Sequence, residues 1–254
     1  MDLHSLCDDL LEEREELFEV LCSVEEPWSL ATPAPRWTVV DQLSHLAWFD
    51  GAATLAIADP DGFVAERHRA LAAGGDIIES ARLGAAERSG EEIAEWLRSA
   101  GDALVAAALA ADPAVRVPWY GPSMSLASCI TARIMETWAH AQDVFDALGV
   151  TREPSPRLVH IAFLGWRAIA NSFTAHGLDV PSDPVRVELG DVSFGPADAA
   201  NRVTGSLLDF CLVVTQRRHV ADTNLAASGP VAEAWLPIAQ AFAGPPGQGR
   251  SPSN

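Results

Sequence analysis

The sequence predicts a mainly α, α+β protein in which a four-helix bundle over residues 1–152 precedes a small α/β domain over residues 153–247 and a disordered tail over 248–254. Three observations predict it. Apolar residues recur at three- and four-residue steps over four long stretches before Gly149, the period of amphipathic helices. The run Thr151-Arg152-Glu153-Pro154-Ser155-Pro156 then punctuates the chain in the manner of a linker. Beyond it, Val185-Arg186-Val187-Glu188-Leu189 alternates apolar and polar residues with the period of a strand.

The first helix spans Leu3 to Val24, with Leu6, Leu10, Leu17 and Leu21 on one face and acids between them. Pro33-Ala34-Pro35-Arg36-Trp37 cannot continue a helix, and Thr38 followed by Asp41 is a capping-box variant that opens a second helix to about Ala58. Asp59-Pro60-Asp61-Gly62 reads as its stop, with a looser stretch ending near Gly74-Gly75. Ser89 caps a third long helix, since Glu91 and Glu92 fill its first turn and Ile93, Trp96, Leu97, Leu104 and Leu109 form its stripe. Ser123 or Ser125 caps a fourth, which runs through Ile130, Ile134, Trp138 and Val144 to Gly149. Four such helices joined by turns predict a bundle. After the linker, a fifth helix spans Leu158 to Ala175, and Gly190-Asp191 turns the strand Val185–Leu189 into a partner Val192–Phe194. Helices near Ser206–Thr215 and Val231–Phe242 follow, and the chain ends in Gly, Pro and Ser from Gly244 onward.

Acidic residues outnumber basic ones by 35 to 17, and the resulting charge of −18 repels a phosphate backbone, which excludes nucleic acid as a partner. No apolar run approaches bilayer length, and Met1-Asp2-Leu3-His4-Ser5 lacks the basic start and apolar block of a secretory signal. The expected location is the cytoplasm, away from membranes. Cys7, Cys22, Cys129 and Cys211 form no CxxC pair and are expected as reduced core thiols.

Glu136 and His140 lie four apart on the fourth helix, so both leave the same face one turn apart. His45, between Leu43 and Leu46 on the second helix, can reach across the bundle to the same point. Two imidazoles and a carboxylate make an open site for one divalent metal ion. The same spacing also suits two ordinary histidines and a glutamate paired with Arg133, because Glu-x-x-x-His is common on helices. Asp143, three beyond His140, either orients the second ring nitrogen of His140 or faces solvent.

The wording around these residues carries more. Trp37-Thr-Val-Val-Asp-Gln-Leu-Ser-His45-Leu-Ala and Arg133-Ile-Met-Glu136-Thr-Trp-Ala-His140-Ala-Gln-Asp143 resemble the mycothiol-dependent maleylpyruvate isomerase family, a branch of the DinB-like bundle proteins. Within it, Gly205-Ser-Leu-Leu-Asp-Phe-Cys211 and Ala239-Gln-Ala-Phe-Ala-Gly-Pro-Pro-Gly247 are similar to an uncharacterised actinobacterial branch. The resemblance implies that His45, Glu136 and His140 bind a metal, Zn2+ being the family's usual ion, with mycothiol as cosubstrate. It implies addition of the thiol sulfur to an activated alkene, rotation about the bond made single, and expulsion of the thiol. It also implies a basic residue of the C-terminal domain at the substrate carboxylate, for which Arg217 and Arg218 are the candidates. An Arg-Arg-His end equally suits a helix C-terminus. The expected function is therefore a metal- and thiol-dependent isomerase or S-transferase acting on small electrophilic or carboxylated compounds. The alternatives are a non-catalytic metal-binding or ligand-carrying protein and a metal-dependent hydrolase, since an open zinc site can also make hydroxide.

Overall fold

α1 (Leu3–Cys22) buries Leu6, Leu10, Leu17 and Leu21, the stripe that the spacing sets on one face. The computed structural model describes residues 2–253 other than Ala73, Gly75, Ala85 and Ala86. It divides into two units, Met1–Arg152 and Glu153–Asn254.

In the first unit α2 (Val39–Ala58) starts where Asp41 accepts hydrogen bonds from the Thr38 backbone at 2.8 Å and from its hydroxyl at 2.7 Å. The looser stretch expected after Asp59 is instead helical, and the sequence reading is corrected here. α3 (Pro60–Ala72) begins on Pro60, which lacks only an N–H that a first turn leaves unbonded, and Asp59 accepts from Gly62 N–H at 3.0 Å. Asp76 then caps α4 (Ile77–Leu83) by accepting from the N–H groups of Ile78 and Glu79. Gly75, at the end of the stretch read as loose, lies outside the described residues. α5 (Gly90–Ala110) opens on the full capping box of Ser89 and Glu92. A two-stranded ribbon of β1 (Arg116–Val117) and β2 (Met124–Ser125) leads into α6 (Leu126–Leu148), which Ser125 caps. Gly149, at φ 68°, ends α6 in the left-handed conformation that costs glycine least. α1, α2, α5 and α6 pack side by side as the predicted bundle, with α2 against both α5 and α6. Arg152 ties α1 to α6: it pairs with Glu13 and Glu16 and donates to the Trp138 carbonyl at 2.9 Å.

In the second unit the expected fifth helix is two, α7 (Leu158–Arg167) and α8 (Ile169–Ala175), because Ala168 turns to ψ 6° and leaves the α-helical path there. β3 (Val185–Leu189) and β4 (Val192–Phe194) form the expected hairpin. The sequence reading missed β5 (Asn201–Gly205), which joins β3 in parallel. After α9 (Leu207–Val214), capped by Ser206, the equally unforeseen β6 (Ala226–Ser228) completes a sheet of order β4-β3-β5-β6. α10 (Pro230–Trp235) is shorter than expected and gives way to a 3-10 turn at Leu236–Ile238, where Pro237 prevents α-helical continuation. The chain from Gly244 onward holds no helix or strand among the described residues, and Ser253 bonds Asp222 through its N–H and hydroxyl. No described helix is long and apolar enough to cross a membrane. Cys7, Cys129 and Cys211 are buried free thiols, whereas Cys22, expected in the core, is exposed at the end of α1.

Removing the Ser89 hydroxyl leaves the first turn of α5 without its cap. Ser89→Ala is expected to cost about 1 kcal/mol and lower Tm by about 2–4 °C, as calorimetry would read.

Candidate metal centre

Where α2 and α6 cross, the three predicted ligands meet. His45 leaves α2 toward α6, on which Glu136 and His140 stand one turn apart. Glu136 Oε2 lies 3.8 Å from His45 Nε2 and 3.4 Å from His140 Nε2. One ligating atom from each of the three side chains falls within 4.8 Å of the others, and no other such group of three occurs among the described residues. The two imidazoles are 8 % and 11 % exposed and the carboxylate 26 %, so the cluster is walled on the histidine side and open beside Glu136.

Aromatic rings build the wall. The Trp37 indole stacks on His140 with centroids 5.8 Å apart and packs 5.4 Å from His45. Phe49 lies 4.6 Å from His45 on the other side and continues into Trp119 and Tyr120. Trp119 stacks on Phe63 and Tyr120 lies among Trp48, Phe49 and Phe63, so this loop pair is packed into an aromatic cluster.

Electrostatics set the protonation states. Burial pulls the His45 imidazole down to about 3, helped by the neighbouring charges of His140 and Arg133 and opposed by Glu136. Burial works to raise the Glu136 carboxyl, but hydrogen bonds to His140 and His45 and the charges of His140 and Arg133 hold it well below the usual range. A neutral imidazole and an ionised carboxylate are the forms that ligate a cation. The residues present therefore fit a divalent metal by donor type and convergence, and His45 and Glu136 also by protonation.

Two polar links pin α2 to α6 on either side of His45. Arg133 donates from Nε to Asp50 at 2.9 Å and reaches the Leu46 carbonyl at 3.5 Å, while Arg14 of α1 donates to the other Asp50 oxygen at 2.6 Å. Asp50 is fully buried, and Arg133 is thus engaged across the bundle rather than with Glu136 on its own helix. On the other side Gln42 Oε1 meets His140 Nδ1. Gln42 Nε2 donates to Asp143 at 3.5 Å, which joins Asp143 to His140 through Gln42. Asp143 is 1 % exposed, which removes the solvent-facing alternative. The sequence reading missed Gln42, Asp50 and Arg14 because their partners lie 98, 83 and 36 residues away, beyond any local periodicity. Arg217 and Arg218 lie in the second unit, in the turn after α9, where Arg217 donates to the Thr215 carbonyl and Arg218 to the Arg217 carbonyl, both at 2.7 Å.

Asp50→Ala leaves two buried guanidinium groups without their shared carboxylate and is expected to cost about 3–5 kcal/mol in a urea titration. The metal-free protein is expected to lose stability on acidification. The unfolded imidazole of His45 takes up a proton near 6.5 and the folded one only near 3, so unfolding binds protons and stability falls through that window. Glu136 adds to the decline below its ordinary value of 4.5. A urea midpoint that stays level from pH 7 to pH 4 would contradict this.

Comparison with known proteins bears on the family and the fold. Residues 8–145 match the family described as the mycothiol maleylpyruvate isomerase N-terminal domain. Two uncharacterised proteins of Mycobacterium tuberculosis, from strains CDC 1551 / Oshkosh and ATCC 25618 / H37Rv, are each 47 % identical over 230 residues, covering 88 % of this chain and 89 % of theirs. The fold is similar to the crystal structure of the mycothiol-dependent maleylpyruvate isomerase, with TM-score 0.63, 14 % identity, and coverage of 91 % of this chain and 96 % of that one. A histidine-to-alanine mutant of that enzyme gives a TM-score of 0.62 at the same identity and coverage. The match over the bundle, together with these relatives, places the chain in the mycothiol maleylpyruvate isomerase N-terminal domain family.

Proposed function

We propose that the protein is a metal-dependent enzyme that uses mycothiol to isomerise, or transfer sulfur to, a small electrophilic or carboxylated substrate. The observation that carries the proposal is the convergence of His45, Glu136 and His140 with one side open, since catalytic metal sites keep free positions that structural sites close. Membership of a family defined by a thiol-dependent isomerase supports the thiol. Two imidazoles and one carboxylate suit zinc.

Bound there, zinc would hold a thiol as thiolate at neutral pH and polarise a substrate oxygen. The protein's own residues supply the rest. Burial holds His45 neutral, the α2–α6 packing orients His45 and His140, and Trp37 and Phe49 pack against the imidazole faces. Glu136 presents its charge toward the open side. Following the family resemblance, the guanidinium of Arg217 or Arg218 is assigned to the substrate carboxylate, and a thiol-using enzyme of this kind belongs in the reducing cytoplasm.

Purified protein is expected to hold one equivalent of zinc, which Glu136→Ala loses, and to bind mycothiol by calorimetry only when loaded. Stoichiometric thiol binding by the metal-free protein, or no zinc after reconstitution, overturns the proposal. Arg217→Ala or Arg218→Ala is expected to keep the metal and lower kcat/KM for an acidic substrate by about 10–100-fold.

A further inference from the structure

Hydrogen-bond donors and acceptors around His140 run in one direction, and a backbone carbonyl fixes that direction. The Trp37 carbonyl can only accept. It takes the Thr32 N–H at 2.8 Å and the Thr32 hydroxyl at 2.9 Å. That commits the hydroxyl proton to Trp37 and leaves the Thr32 oxygen to accept from Gln42 Nε2, at 2.9 Å. The same amide nitrogen donates to Asp143, so the amide oxygen must be the atom that faces His140 Nδ1. An amide oxygen accepts only, so Nδ1 carries the proton. That leaves Nε2 as the ring atom that faces Glu136 Oε2, 3.4 Å away, where a cation, proton or metal, holds the two together.

We propose that Gln42 is a positioning residue that fixes the Nδ1–H tautomer of His140, in a relay running Trp37 carbonyl, Thr32, Gln42, His140, so that Nε2 is set for a divalent cation. The relay is anchored in a built loop. Ala31 bridges to Thr38, Trp37 N–H donates to the Ala34 carbonyl at 3.0 Å, and Arg36 is held in the left-handed region at φ 68°. Backbone strain of this kind persists where the surroundings over-determine it. The Trp37 residue whose carbonyl starts the relay also stacks its indole on the ring that ends it, so one residue sets both the tautomer and the plane of His140. Asp143 supports the orientation of Gln42.

The proposal deepens the metal-enzyme reading, but its first test does not need metal. Long-range 1H–15N spectra of the zinc-free wild-type protein at pH 8 are expected to show His140 protonated at Nδ1; protonation at Nε2, or an even mixture, overturns the relay whether or not zinc binds. Gln42→Leu removes the acceptor and is expected to shift His140 toward the Nε2–H form. It should also weaken zinc binding, measured by competition with a chromophoric chelator, by about 10–100-fold. The double variant Gln42→Glu with Asp143→Asn keeps an acceptor at Nδ1 and takes a donor from Asn in place of Asp143, with the Thr32 hydroxyl turned from the Trp37 carbonyl to donate to the new carboxylate; it is expected to recover the Nδ1–H signal and part of the affinity. An unchanged tautomer and unchanged affinity in Gln42→Leu overturn the proposal. Wild-type protein that shows the Nδ1–H form yet takes up no zinc upholds the relay and refutes the metal reading instead.

Discussion

Asp50 has no solvent contact and holds two guanidinium groups, Arg14 from α1 and Arg133 from α6. Ions this deep are expensive to desolvate, and losing one partner costs more than the pair contributes. The arrangement therefore enforces a single register of three helices rather than adding much net stability. That register matters because His45 sits between the two links that pin α2 to α6, Arg133 to Asp50 and Leu46 on one side and Gln42 to His140 on the other. Slide α6 by one turn and Glu136 and His140 no longer oppose His45, since a turn advances a helix by about 5.4 Å. The triad carries two positive charges against one negative. Its Arg133 acts in the same sense on both ligands, helping to keep Glu136 ionised and His45 unprotonated.

The bundle thus prepares a site before any ligand arrives. Packing fixes where the side chains are, burial keeps His45 unprotonated, hydrogen bonds to the histidines keep Glu136 ionised, and the indole of Trp37 closes one wall while the Glu136 side stays open. Preorganisation of this kind matches a catalytic metal, because rigid ligands and a free coordination side let binding energy act on an incoming thiol or substrate instead of on rearranging protein.

Much of this was legible in the sequence where the determinants are local. The Ser89 and Ser125 caps, the stripe of α1 and the β3–β4 hairpin each follow from residues within a few positions of one another. Pro60 misled because proline can follow the end of one helix or start the next, and only the Asp59 cap decides which. Ala226-Ala-Ser has little intrinsic strand preference and becomes β6 by pairing with β5, which no local pattern announces. The positions of His45, Glu136 and His140 could be read from their motifs, and the structure brings the three together. Gln42 and Asp50 could not, since each acts on a partner on another helix, although polar residues at inward positions of an apolar helix were a usable signal.

The family accounts for the bundle, while any activity depends on side chains that a shared fold does not dictate. The central claim is a metal bound by His45, Glu136 and His140 with room for a thiol. Zinc K-edge absorption spectroscopy on the loaded protein tests it most directly. The account predicts a shell of nitrogen and oxygen at about 2.0–2.2 Å with no sulfur, and one sulfur at about 2.3 Å once mycothiol is added. Sulfur in the shell before the thiol is added, or a shell that saturating thiol leaves unchanged, would contradict it.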